Sequence, residues 1–548
     1  MKLWVLVLTA IAAAMCTVLS SAPYGIGIAT IISVMLFIRI ALHTKSTNSA
    51  MFWVFVSQIP LWLWLHLWVK DVAFFGWIGI GLYMSIWAPL FILLVRKVQL
   101  PRISIVFTAP ILWVGLECLR GIVIFDGYPW YLAGTGLLGI PVQSIATIGS
   151  VWLASYFVVT VAAAFATANV VRWWTWVSLA LVCIFFFLYG MSERTHRGPR
   201  IDVAVIQTNV TPSNKIEATW ERQLEDFSQA IDMTYEAVHI AEIQPSLIIW
   251  PETMLPGSGF EIDRFDFAPW DERFTHLWYW SEKIRMVSKE LDTPILVGSQ
   301  TWIDVTVIED TEYLRVDPSY QFNSAVLIQP DGTTQRYDKT FLTPFGERIP
   351  YVEQFPTLND WVREKVGVAM LFDLSAGGEP NRFTLPCKNL INEDVEITFA
   401  TPICFEDTVP SVVRNLIWED GERKADALIN LSNDGWFGSD DGARLQHVRE
   451  ARMRCVENMT PMVRAANTGL SCNISQYGNV IKSSVTIRES GILPTRVFAG
   501  TGLPLSRFVG DWIAWLCLFG SILLIVVSCV YCDSCNKRSK GQEDETSS

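Results

Sequence analysis

The chain alternates between two kinds of hydrophobic pattern. Seven apolar stretches precede residue 191, at about 3–21, 24–42, 51–69, 74–95, 103–124, 148–171 and 173–190, and an eighth runs from Trp512 to Tyr531. Each is close to the ~20 residues that carry an α-helix across a bilayer. Lys2 followed by an apolar run also reads as a secretory leader, but six more stretches follow without a soluble gap, which favours an uncleaved helix. Between 191 and 510 the pattern changes. Short β-rich runs at 201–207, 246–252, 293–299, 396–406 and 425–434 alternate with longer amphipathic segments such as 217–242. Asp331-Gly332, between SAVLIQP and TTQRYDK, is a hairpin signal. The expected organisation is a seven-helix membrane domain (1–190), an α/β domain (191–510), one more membrane helix (511–532) and a polar tail (533–548).

Charge sharpens that division. Of the 42 basic and 54 acidic residues, only nine and three stand before residue 191, so the remainder is net −18. An acidic surface excludes a nucleic-acid partner, because phosphate contacts need basic side chains. Lys2, Arg39, Lys45, Arg96, Lys97, Arg102 and Arg172, with Lys537, Arg538 and Lys540, fall in loops on one side of the expected spans. The positive-inside rule makes that side cytoplasmic, with both termini in and 191–510 outside. The 11 cysteines and 6 histidines show no zinc-type spacing, so no metal is expected. Pairing among Cys387, Cys455 and Cys472 stays open.

Three reactive groups stand where apolar runs end. Glu252 follows LIIWP, and a carboxylate in such a partly apolar place can act as a general base. Lys339 in YDKTFLTPFGERIP is a cation beside a Pro/Gly turn, able to stabilise an oxyanion. Cys404 in TPICFED closes another apolar run, and a thiol becomes a useful nucleophile beside a base or cation. Singly, each has an ordinary reading as core thiol, turn carboxylate or loop lysine.

Together, in this order, IIWPET (248–253), YDKTFLTPFGERIP (337–350), ICFED (403–407), NLSNDGWFG (430–438) and EARMRCVENMTPMVRAANTGLS (450–471) resemble the nitrilase, or carbon–nitrogen hydrolase, superfamily. The flanking spans and ECLRGIVIFDGYPW (117–130) resemble its membrane branch, the apolipoprotein N-acyltransferases. The resemblance implies a nitrilase-like α-β-β-α sandwich joined to a multi-span helical domain. It implies Glu252 as base, Lys339 as charge stabiliser and Cys404 as nucleophile. Glu347 and Glu406 would be supporting carboxylates, and the backbone N–H of Phe405 a second oxyanion donor. The implied reaction is ping-pong. A phospholipid acyl group passes to the thiol and then to the α-amine of a diacylglyceryl-cysteine apolipoprotein, in the cytoplasmic (inner) membrane, without a cofactor. A membrane-tethered amidase is the alternative.

Two positions depart from the family pattern: Phe405 stands where Tyr is frequent, and Ile216 where Trp is frequent, with Trp220 one helical turn on. Glu117 and Arg120 share a helix face in the fifth span. They are expected, with Trp130, either to contact lipid or to form a satisfied pair at the membrane interface. The segment 253–285, rich in Gly and aromatic residues, reads as a membrane-facing lid or as internal packing.

Overall fold

The computed structural model describes residues 1–98, 100, 104–192, 198–210, 219–241, 243–261, 275–309, 314–351, 355, 357, 374–388, 393–483 and 486–546. The chain divides into two units, Met1–Ser192 with Val509–Ser548, and Glu193–Phe508.

The first unit is helical. Its helices are α1 (Leu3–Ser20), α2 (Gly27–His43), α3 (Thr47–Leu65), α4 (Phe74–Ser85), α5 (Trp87–Lys97), α6 (Ile105–Cys118), α7 (Ala146–Ala166) and α8 (Trp173–Met191), with a closing helix Trp512–Thr546. Among the described residues six segments are long and apolar enough to cross a membrane: Leu3–Ser20, Phe74–Lys97, Ile105–Asp126, Pro141–Ala166, Trp173–Met191 and Trp512–Tyr531. The two other expected spans are also helices. However, α2 has only 17 residues, and α3 ends at Leu65 and carries Gln58 and Pro60 inside it. The sixth expected span stops at Ala166 rather than 171, because Thr167 leaves helical geometry and its hydroxyl bonds back to Ala163 O at 2.7 Å. The closing helix runs past the apolar stretch to Thr546.

The second unit is α/β. Its strands are β1 (Arg200–Gln207), β2 (Leu247–Ile249), β3 (Ile295–Glu309), β4 (Leu314–Ile328), β5 (Thr334–Asp338), β6 (Phe383–Lys388), β7 (Asp394–Ala400), β8 (Ala427–Ser432), β9 (Met462–Ala466), β10 (Cys472–Ile474), β11 (Val480–Ser483) and β12 (Gly491–Phe498). Its main helices are α9 (Trp220–Ile240), α10 (Thr275–Leu291), α11 (Pro410–Ile417) and α12 (Asp441–Asn458). The strands follow one path, β11-β10-β9-β8-β7-β6-β1-β2-β3-β4-β5, with β12 also on β1. Among the described residues a single pair, Arg200 with Lys388, joins β1 to β6. The path therefore behaves as two six-stranded sheets. The expected hairpin is present: Ile328 pairs with Thr334, and Gly332 takes the positive φ of 88° that the turn needs.

Strand alternation explains the layering. Ala204, Ile206, Ile248, Val297 and Val326 meet Phe227, Ala230, Trp280 and Ile284 of α9 and α10. The opposite face offers Val203, Val205, Ile249, Leu296 and Leu327 to Phe383, Leu385, Ile397 and Phe399 of the second sheet. Val413, Leu416, Val448 and Ala451 of α11 and α12 join the same cluster. Helix, sheet, sheet, helix is the α-β-β-α sandwich expected from the sequence.

Candidate active site

Glu252 leaves the sheet just after β2. Trp250 continues the ladder, its N–H donating to Leu296 O at 2.8 Å, and its buried indole donates to Thr234 Oγ1 at 2.9 Å. That anchor fixes where the chain turns out at Pro251. Gly298 on β3 lies directly against the turn: a Cβ there would sit 2.5 Å from the Glu252 Cα. The carboxylate, 6% exposed, is held at both oxygens. Oε1 accepts from Asn323 Nδ2 at 2.7 Å, and Oε2 from the Asn433 N–H at 2.7 Å.

Lys339 follows β5, and its N–H donates to Asn323 O at 2.8 Å. Its ammonium is 1% exposed and lies 2.6 Å from Glu347 Oε2. Burial alone would push this ammonium down, but Glu347, Cys404, Glu252 and Glu406 around it hold it above the usual lysine range. Against its own burial, Glu347 is held below the usual carboxylate range by Lys339 and by the Thr343 N–H. Asn323 Nδ2 also reaches Glu347 Oε1 at 3.3 Å, so one amide ties both carboxylates to the strand that carries Lys339's partner carbonyl.

Cys404 comes four residues after β7, beyond a bridge of Ile403 to Leu431 of β8. It opens a 3₁₀ turn, Cys404–Thr408, and has a positive φ of 51°. A non-glycine residue is strained there, and such strain gathers at functional sites. Burial and the Glu252 charge push its thiol up, against the pull of Lys339. Glu406, fully buried, braces the turn. Its carboxylate accepts from the N–H groups of Ile403, Thr340 and Phe341 at 2.8, 2.8 and 2.9 Å and from the Tyr337 hydroxyl at 3.0 Å. It thus clamps the Cys404 turn to the lysine loop. Phe405 is buried, its ring stacked on Phe341 at 6.3 Å. A carboxylate, an ammonium and a thiol thus act on one another in one buried place, an arrangement suited to acyl transfer through a thioester. Among the described residues no group of three His, Cys, Asp or Glu side chains is placed to hold a metal.

The carbon–nitrogen hydrolase family model matches residues 202–495, more than half of the chain. The chain belongs to the carbon–nitrogen hydrolase family. Residues 13–164 match the model of the apolipoprotein N-acyltransferase N-terminal domain, so the membrane-branch resemblance is borne out as well. Similar curated proteins named apolipoprotein N-acyltransferase come from Geobacter metallireducens (27% identical, 81% of this chain and 78% of the relative), Vibrio vulnificus (26%, 90% and 92%) and Allorhizobium ampelinum (26%, 89% and 89%).

In this carbon–nitrogen hydrolase the three expected membrane residues are buried within their own unit. Glu117, Arg120 and Trp130 are 5%, 5% and 2% exposed. Glu117 and Arg120 do not bond to each other among the described contacts. Instead Glu117 Oε1 accepts from the Ala133 N–H at 2.7 Å and Trp113 Nε1 at 2.9 Å, while Arg120 Nη1 donates to Trp130 O at 2.7 Å. Both bind the loop that follows their own helix. In the lid candidate, residues 262–274 with Phe265, Phe267 and Trp270 lie outside the described residues, as does Ile216. The described flanks are internal: Phe260 and Trp280 belong to the core under α9 and α10, and Trp278 is buried. Trp220 packs its ring 4.7 Å from Trp280. Cys387, Cys455 and Cys472 are buried free thiols. Sequence reasoning missed Asn323 and Gly298. Asn323 sits in a strand with no motif around it, and Gly298 carries no signal that sets it apart from other strand glycines.

Proposed function

We propose that this chain is an apolipoprotein N-acyltransferase, moving a fatty acyl group from a membrane phospholipid, through a Cys404 thioester, to the α-amine of a diacylglyceryl-cysteine apolipoprotein. The observation that carries the reading is the convergence of a thiol, a charged ammonium and a held carboxylate in the domain of a chain that also has apolar spanning helices. Glu252 takes the thiol proton as Sγ attacks the ester carbonyl. Lys339, with the Phe405 N–H, faces the oxyanion, where preorganised donors contribute most. Collapse expels the glycerol oxygen, which takes the proton back from Glu252, giving a lysophospholipid and the thioester. The acceptor amine then attacks the thioester, Glu252 removes its extra proton, and the thiol is regenerated. Glu347 keeps the ammonium in place, and Glu406 keeps the two loops in register. Both substrates are lipids, so a multi-pass protein of the inner membrane with its catalytic domain outside the cytoplasm suits them. Incubation with phospholipid alone should add one acyl mass at Cys404, and a diacylated lipopeptide should discharge it to a triacylated product. Release of free fatty acid without peptide acylation would point to a hydrolase, and no adduct in wild type would overturn the reading.

A further inference from the structure

A polar cluster behind Cys404 is not used by the three reactive groups. Ser432 Oγ lies 3.8 Å from the Cys404 sulphur, within hydrogen-bond reach. Ser432 ends β8 and has a single hydroxyl hydrogen, and its Oγ lies 2.7 Å from Asp434 Oδ1. The short contact to a carboxylate is the stronger of the two and takes that hydrogen. In the resting thiol the serine oxygen therefore turns a lone pair, not a hydrogen, towards S–H.

Asp434 has other partners. His447 Nδ1 lies 3.1 Å from its Oδ1, and His447 Nε2 lies 2.9 Å from Asp407 Oδ1. Arg464 pairs with Asp407 and stands 3.9 Å from Asp434 Oδ2. Ser432, Asp434, His447, Asp407 and Arg464 are each no more than 1% exposed. A cluster this deep, with a cation and an imidazole against two carboxylates, can lose the serine's hydrogen without stranding Asp434.

We propose that Ser432 is a hydroxyl switch on the nucleophile, pointing its hydrogen at Asp434 while Cys404 is a thiol and at the sulphur once the thiolate forms. The inference rests on Cys404 being the reacting thiol. No bond is made or broken in the switch itself: the thiol proton goes to Glu252, and the serine O–H only rotates about its Cβ–Oγ bond. The rotated hydroxyl gives the thiolate a donor at the moment its charge appears, and returns to Asp434 when the sulphur is acylated or reprotonated. Asp434 sets the cost of the switch by competing for the hydrogen.

The test reads alkylation of Cys404 by iodoacetamide, quantified on the Cys404 peptide of the full-length protein in detergent. It needs no acyl substrate, so it is independent of whether the natural reaction is acyl transfer. Well below the thiol's midpoint the rate follows the thiolate fraction, and a lost donor worth one pKa unit slows it about tenfold. Ser432→Ala should slow alkylation about that much with an unchanged melting temperature, and Ser432→Thr should restore it in part. Asp434→Asn should speed it, the opposite sign. Glu252, Lys339, Glu347, Asp434 and Arg464 also act on the thiol by charge, so the two changes are combined. In a Ser432→Ala background, Asp434→Asn should do markedly less. An unchanged rate in folded Ser432→Ala would overturn the switch. So would an Asp434→Asn effect of equal size in both backgrounds, which would make Asp434 a charge on the sulphur and nothing more. Should Asp434→Asn fail to fold, the Ser432→Ala rate decides alone.

Discussion

Cys404 is held as a thiol in the resting protein, because burial and the Glu252 carboxylate both oppose the thiolate. Reactivity towards a small alkylator and competence in acyl transfer should therefore part company. Glu252→Gln removes a charge that opposes the thiolate and should speed alkylation, yet slow acyl-enzyme formation at least ~100-fold by removing the base. Lys339→Ala should slow both, the acyl transfer by a similar factor. Acyl-enzyme formation at a near-normal rate in Glu252→Gln would take the base role away from Glu252. The Lys339–Glu347 pair has its own signature in pH. Glu347 is held low, so its contribution to stability is present above the ordinary glutamate range and is lost as pH falls through its depressed value. Lys339 is held high, so its share is present below the ordinary lysine range and is lost only at more alkaline pH. Glu347→Gln takes away the buried ammonium's ion-pair partner, which should cost about 3–5 kcal/mol at neutral pH. Its melting temperature should also fall less steeply in acid than that of the wild type. An acid limb as steep as before would show that Glu347 is not the group being titrated.

At the scale of elements, the site is built where strands end. Glu252 follows β2, Lys339 follows β5, Cys404 follows β7, and Ser432 closes β8. Gly298 shows how close the packing is, since a methyl there would press on the Glu252 backbone. Gly298→Ala should move the carboxylate off the Asn323 and Asn433 donors, lowering turnover at least ~tenfold, with ~1–3 kcal/mol lost to overpacking. Normal turnover in that variant would mean that Glu252 tolerates displacement. The strand runs at 201–207 and 425–434 and the Asp-Gly hairpin were legible because apolar residues there are continuous and the turn chemistry is local. The extension of β3 and β4 to 15 residues each was not. Beyond Ser299 in β3, buried Thr301, Ile303 and Val305 alternate with exposed Asp304 and Thr306, a mixed run that becomes one strand through its pairing with β4. Glu252, Lys339 and Cys404 were legible as a set through the resemblance of the segments around them, since singly each reads as turn carboxylate, loop lysine or core thiol. Asn323 was not, because its role comes from the register of β4 with β3, which sets it near Glu252, 71 positions away. Glu117 and Arg120 were legible as charges needing partners, but not which: both find backbone groups of a loop.

For the molecule as a whole, the charge asymmetry predicts a catalytic domain outside the cytoplasm. Asp331→Cys, on the exposed hairpin turn, should react with an impermeant maleimide in intact cells. Reaction only after lysis would reverse the topology. The domain itself begins and ends on one ladder: β1 and β12 pair from Arg200 with Phe498 to Gln207 with Gly491, and the Ala499 N–H donates to Pro199 O at 2.8 Å. Its way in and its way out therefore lie side by side. Because the pair is antiparallel, tension on the two connecting segments would load the bonds one after another, like a zip pulled from its open end, rather than all together in shear. The catalytic domain is thus mechanically softest along its own entry seam, and pulling from residues 198 and 500 should open it at much lower force than pulling across β3 and β4 along their length.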